Sequence, residues 1–216
     1  MTRWQDDRLH GLPCRVLLPQ PYDPRRRHPL VVSLHGSGER GTDNEAQLNT
    51  GVTAFEHDLE RFGAIVVAPQ APRHDTFGGS WYGGESATQR AVVALTRDLT
   101  GRGSVDADRV YLVGFSMGAI GAWDILARQP SLFAAAIVIA GDLDVDTVVG
   151  SAAASLPIWA IHGERDELVS NRNIRSLDAR KLPTLRYTEL AGAGHDVWRQ
   201  SFAHPPLWEW LFSVKK

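Results

Sequence analysis

Arg109-Val110-Tyr111-Leu112-Val113-Gly114-Phe115-Ser116-Met117-Gly118-Ala119-Ile120-Gly121-Ala122-Trp123 decides how this chain folds. Residues 110–113 are a β-branched, aromatic and aliphatic run of the kind that fills a buried strand. From Met117 the pattern turns helical and continues to Arg128, ahead of Pro130. Between the two lies only Gly114-Phe115-Ser116-Met117-Gly118, a G-x-S-x-G turn. A strand that passes directly into a helix forces its middle residue into a strained conformation, and side chains at the flanking positions would clash. The serine hydroxyl is then presented at a helix N-terminus, where unpaired amides favour developing negative charge. A capping serine would look the same as a lone residue; the strand–turn–helix context is what points to a nucleophile.

The same alternation extends in both directions. Apolar runs predict strands over 16–18, 30–34, 64–68, 109–113, 135–139, 158–161 and 185–190. Helical patterns fall between them over 53–61, 86–99, 117–128 and 171–182, and a last one closes the chain over 206–212. Several of the strands are continuously apolar, as strands are when helices cover both faces of the sheet. The pattern predicts an α/β fold with a mostly parallel central sheet covered on both faces, as a single domain over residues 1–216. A length of 216 residues suits one such domain, and 43% hydrophobic with 22% charged residues is ordinary globular composition.

Composition also removes function classes. With 23 basic and 25 acidic residues the formal charge is −2, which lacks the basic footprint of a nucleic-acid binder. The one basic run, Arg25-Arg26-Arg27-His28, lies between prolines and reads as a solvated turn. Cys14 is the only cysteine, so no intrachain disulfide forms, and it reads as a small buried thiol. The first eleven residues hold no apolar stretch of signal-peptide length, and no run is long enough to span a membrane. A cytoplasmic location, as a monomer or homodimer acting on a small molecule, is the expectation.

A serine needs a base and an acid, in the order Ser, Asp or Glu, His along such a fold. After Ser116 come His162, His195 and His204. His195 lies in the glycine-rich Ala191-Gly192-Ala193-Gly194-His195-Asp196 directly after the last predicted strand, where a loop can carry an imidazole over the serine. His204 precedes two prolines, and His162 precedes the acid candidates. Those candidates fall in His162-Gly163-Glu164-Arg165-Asp166-Glu167. Asp166 is preferred, with Glu164 and Glu167 as alternatives and Asp142 as a weaker one; an acid there holds the imidazole tautomer. The backbone amides of Met117 and Ser37 are the candidate oxyanion donors, Ser37 lying in the loop Leu34-His35-Gly36-Ser37-Gly38-Glu39-Arg40-Gly41.

That loop also matches G-x-G-x-x-G. No apolar helix follows it, however, and the next strand ends at Pro69-Gln70 rather than at an acid, so no nucleotide cofactor is expected. No clustered Cys/His pattern suggests a metal. The long segment 70–85 holds two glycine pairs and Trp81, a candidate for the substrate pocket; Trp198, just after the histidine, is a second.

Four blocks, in order, resemble the α/β-hydrolase superfamily. They are Leu34-His35-Gly36-Ser37-Gly38-Glu39-Arg40-Gly41, Gly114-Phe115-Ser116-Met117-Gly118-Ala119, His162-Gly163-Glu164-Arg165-Asp166, and Ala193-Gly194-His195-Asp196-Val197-Trp198. Within it the chain is similar to small carboxylesterases related to phospholipase/carboxylesterases, dienelactone hydrolases, and polyhydroxybutyrate-depolymerase-like or feruloyl-type esterases. Ala119 departs from the second glycine that many relatives carry. The resemblance implies a cofactor-free serine esterase with Ser116, Asp166 and His195 as triad, Ser37 and Met117 as oxyanion donors, and no lid domain. Thioesterase, peptidase or acyltransferase chemistry on the same triad, or an inert binding module, are the alternatives.

Overall fold

The computed structural model describes residues 4–49, 52–56 and 61–216. Its strands are β1 (Gln5–Leu9), β2 (Leu12–Leu17), β3 (His28–Leu34), β4 (Ile65–Pro69), β5 (Val105–Phe115), β6 (Ala135–Ile139), β7 (Ile158–Gly163) and β8 (Leu185–Leu190). The helices among the described residues are α1 (Ala87–Thr100), α2 (Met117–Arg128), α3 (Val145–Val149), α4 (Arg172–Ala179), α5 (Trp198–Phe202) and α6 (Pro205–Ser213). The strands form one sheet in the order β1-β2-β4-β3-β5-β6-β7-β8. β1 and β2 run antiparallel to their neighbours, and β3 through β8 are parallel.

Side chains alternate across this sheet into two cores. Val110 and Leu112 of β5 face a core shared with Val92 and Leu95 of α1, Ile125 of α2 and Ile174 of α4. Tyr111 and Val113 face the other, filled by Phe202 of α5 and Leu207, Trp208 and Leu211 of α6. Cys14 is wholly buried in the first core, and desolvation pushes its thiol up to about 12, which keeps it protonated and inert.

The expected architecture is observed, with differences at its edges. β1 carries no apolar pattern and four of its five residues are exposed, so periodicity does not reveal it. Its hairpin with β2 turns on His10-Gly11, both at positive φ (49° and 84°), the conformation of a two-residue type I′ turn. β2 begins at Leu12, ahead of the expected 16–18, and β5 begins at Val105, ahead of 109. Part of the helix expected over 53–61 lies outside the described residues; Val52–Phe55 is a 3₁₀ turn. The expected helix over 171–182 is shorter, with Asn171 as N-cap and Arg180 as C-cap. α3 and α5, of five residues each, are too short to show a helical period.

Candidate active site

The site forms where β3, β5 and β7 end. Ser116 sits between β5 and α2 at φ 52°, ψ −118°, outside the regions a non-glycine residue ordinarily occupies. The turn is held from both sides. The Ser116 amide donates to the Ile139 carbonyl at 2.9 Å, and the Ser116 carbonyl accepts from the amides of Ala119 and Ile120. Gly118 is required by close approach, because a Cβ there would collide with the Leu34 carbonyl oxygen at the end of β3. This packing places the loop after β3 beside the elbow.

That loop contains the only dinucleotide-like pattern noted in the sequence, and the structure follows β3 with a 3₁₀ turn, Ser37–Glu39, rather than a helix. His35 anchors it from beneath. Its Nε2 accepts from the Ala71 amide at 3.0 Å, which leaves the ring proton on Nδ1, and Nδ1–H donates to the Gly36 carbonyl at 2.6 Å. Burial lowers His35 to about 4, so the ring is neutral near pH 7. The Gly36 carbonyl and the Ser37 amide share one planar peptide unit. Fixing the carbonyl on His35 therefore turns the Ser37 N–H away from that ring. Met117 is the first residue of α2, so its amide has no carbonyl partner within the helix.

His195 and Asp166 come from the loops that follow β8 and β7. His195 Nε2 lies 2.9 Å from Ser116 Oγ, and His195 Nδ1 lies 2.8 Å from Asp166 Oδ2. The Asp166 side chain is fully buried, and its other oxygen accepts the amides of Leu168 and Val169 at 2.9 Å each. The two loops are tied together: the Arg165 amide donates to the Ala193 carbonyl, and the Glu164 amide to that of Leu190. A Cβ on Gly163 would collide with the Gly194 carbonyl. Phe115 packs its ring 5.3 Å from the His195 imidazole.

The other acids named from the sequence do different work. Glu164 accepts the Gly192 amide at 2.6 Å and so steadies the histidine loop. Glu167 is exposed. Asp142 accepts the Trp81 indole N–H at 2.6 Å and the Asn173 amide group at 3.0 Å. His204 sits at the start of α6, 6.3 Å from the Trp159 ring.

An open cleft of about 430 Å³ lies over Ser116 and His195. Gly36, Ser37, Phe115 and Ile120 line its inner part, with Trp81, Tyr82 and Leu168 around it. Trp81 is thus brought to the cleft on the 3₁₀ turn Ser80–Tyr82. Gly79, at φ 104°, makes this turn possible; a Cβ there would lie 2.6 Å from the Ile120 carbonyl oxygen. Trp198 is a correction to the expected pocket. It is only 6% exposed, packs behind Phe115 and under the Arg199 guanidinium, and does not line the cleft. Tyr82 and Leu168 were the less legible members, since exposed apolar residues in loops leave no periodic signal. Among the described residues no three His, Cys, Asp or Glu side chains gather as a metal ion would need, and no helix is long and apolar enough to cross a membrane.

Comparisons with known proteins agree with this fold. A solved structure of a thermostable esterase superposes with a TM-score of 0.90 at 31% identity, covering 99% of this chain and 64% of that one. NocK of Nocardia uniformis subsp. tsuyamanensis, which carries an esterase name, is 29% identical over 163 residues, 74% of this chain and 45% of its own. The bifunctional acetylxylan esterase/xylanase XynS20E of Neocallimastix patriciarum is 26% identical over 148 residues, 68% of this chain and 20% of its own. The chain therefore spans less than half the length of these curated relatives. The family model described as Esterase PHB depolymerase matches residues 15–156, which include the Ser37 loop and the Ser116 elbow, while Asp166 and His195 lie beyond it. On an α/β-hydrolase fold with that match, the chain belongs to the esterase PHB depolymerase family.

Proposed function

We propose that the protein is a serine esterase that hydrolyses carboxylic esters through an acyl-enzyme on Ser116. The observation that carries this is the continuous row Ser116–His195–Asp166, at 2.9 and 2.8 Å, assembled from residues 79 and 29 positions apart in the chain. His195 Nε2 takes the hydroxyl proton as Ser116 Oγ attacks the ester carbonyl. The amides of Met117 and Ser37 receive the oxyanion. His195 then returns the proton to the leaving alkoxide. Water enters by the reverse steps, giving its proton to His195 and its oxygen to the acid product. Asp166 holds Nδ1–H and so keeps Nε2 turned to the serine.

The esterase family and the esterase names among the relatives favour an oxygen ester. The test pairs a fluorophosphonate probe with a substrate panel of p-nitrophenyl esters, a thioester and an anilide. Labelling is expected at Ser116, with the oxygen esters turned over fastest. Ser116→Ala is expected to lose both the label and about 10⁴-fold or more in kcat, with an unchanged circular-dichroism spectrum. Wild-type turnover in that variant would overturn the nucleophile; a faster thioester or anilide would move the reaction to a different acyl transfer.

A further inference from the structure

One buried histidine beside the triad takes no part in the reaction proposed above. His162 stands near the end of β7, and its side chain is 2% exposed. Its Nε2 lies 2.9 Å from the Val169 carbonyl oxygen and 3.1 Å from Asp166 Oδ2. A carbonyl can only accept, so Nε2 of His162 carries a proton. The hydrogen bond goes to Val169, and the same N–H passes beside the carboxylate oxygen that meets His195 Nδ1 at 2.8 Å. Asp166 Oδ2 thus lies between two imidazoles, while Oδ1 takes the Leu168 and Val169 amides.

This arrangement answers a physical need. A carboxylate with no exposed surface must find its donors within the protein. The turn 166–169 supplies two of them and must itself be fixed, because Leu168 and Val169 also line the cleft. By holding the Val169 carbonyl, His162 fastens the far end of that turn to the strand on which it stands. The other charged groups nearby are already occupied. Glu189, its register partner on β8, is held by Arg175 of α4 at 2.7 and 2.8 Å and by the Tyr187 hydroxyl, and Arg175 brings its pKa down to about 2. Asn171 donates to the Gly163 and Glu164 carbonyls.

We propose that His162 is a positioning residue of the triad: its Nε2–H clasps Val169 and Asp166 together, aims Oδ2 at His195, and disperses part of the carboxylate charge. The inference rests on the serine-esterase reading. Its consequence has a definite sign. His195 must be neutral to accept the serine proton, and negative charge on Asp166 favours the protonated imidazole. With the His162 donor gone, more of that charge acts on His195, and the rise of kcat/KM with pH moves to higher pH.

The experiment measures kcat/KM for a p-nitrophenyl ester from pH 5 to 9 in the wild type, His162→Gln and His162→Leu. Gln can place an N–H near the position of Nε2, and its profile is expected to stay with the wild type. His162→Leu is expected to shift the limb upward by about 0.5 pH unit or more and to lower kcat about 10–100-fold at nearly constant KM. A Leu variant that loses thermal stability yet keeps the wild-type limb overturns the proposal in favour of a structural role. If the Leu variant does not fold, the ¹⁵N spectrum of the wild-type histidines decides. His162 is expected as the Nε2–H tautomer at pH 7, and the Nδ1–H tautomer overturns the proposal. That readout needs no turnover, so a failed esterase assay with the tautomer in place counts against the proposed function and not against the position of His162.

Discussion

The inner and outer parts of the cleft are built on opposite terms. Inside, the groups are held by the fold: Ser116 is 9% exposed on a strained turn, Asp166 is buried among donors, and His35 is locked neutral beneath the Ser37 loop. At the mouth, Trp81 is 47% exposed, Tyr82 39% and Leu168 69%; with Val149 they are the exposed large hydrophobic residues of the described chain. Three of those four thus gather at one opening. Isolated apolar residues on a surface need no explanation, but a group of them around a polar centre marks a place where an apolar molecule is met. The difference teaches how labour is divided. In the proposed reaction the inner groups act on the carbonyl common to all esters, and the outer ones touch what varies between esters.

Substitutions inside should therefore reduce kcat for every ester alike, and substitutions at the mouth should change preference among esters. The largest effect among these is expected from Asp166→Asn. An amide there can donate to Nδ1 and place the ring proton on Nε2, facing the serine, so kcat should fall roughly 10⁴-fold across the panel. Glu164→Gln, whose partner is the Gly192 amide, should cost less than about tenfold. Equal losses in steady-state assays of the two variants would erase the distinction between the acid and its supporting neighbour.

A smaller effect is expected on stability through His35. Its pKa is lowered from the ordinary 6.5 to about 4, because burial disfavours the charged ring. The unfolded chain takes up this proton below about pH 6.5 and the folded protein only near 4. The contribution is thus complete above the upper value and is lost as pH falls through the window, by on the order of 3 kcal/mol in all. Urea midpoints of the wild type and His35→Gln, compared between pH 7.5 and 4.5, should converge as pH falls. Parallel curves would mean that His35 is not held neutral.

The smallest effect is expected at the mouth. Trp81→Ala removes one exposed wall and its bond to Asp142, and should raise KM for bulky or aromatic esters about tenfold. The kcat for an acetyl ester should remain within about twofold. A uniform loss across the panel would make Trp81 part of the inner machinery and break the comparison.

Legibility followed the range of the interaction. The elbow, the sheet and the two cores were readable because burial imposes a period on neighbouring residues, as in the alternation of Val110, Tyr111, Leu112 and Val113 between the two faces. His195 was readable from its glycine-rich loop after a strand. β1 was not, since a solvated hairpin strand needs ladder bonds and a turn rather than an apolar face. The two tryptophans offered as pocket residues looked alike in sequence, yet Trp81 reaches the cleft on a bridged glycine turn and Trp198 fills the core behind Phe115.

From the amino-acid order alone came the strand–helix alternation, the serine at its sharp turn and the short segments that hold the candidate acids and base, because each depends on residues close together along the chain. Only the folded arrangement put Asp166, rather than Glu164, Glu167 or Asp142, against His195, separated Trp81 from Trp198, and placed His162 beside Asp166. Those choices depend on where the ends of β3, β5 and β7 meet, which is set by the packing of the whole sheet and by no local pattern.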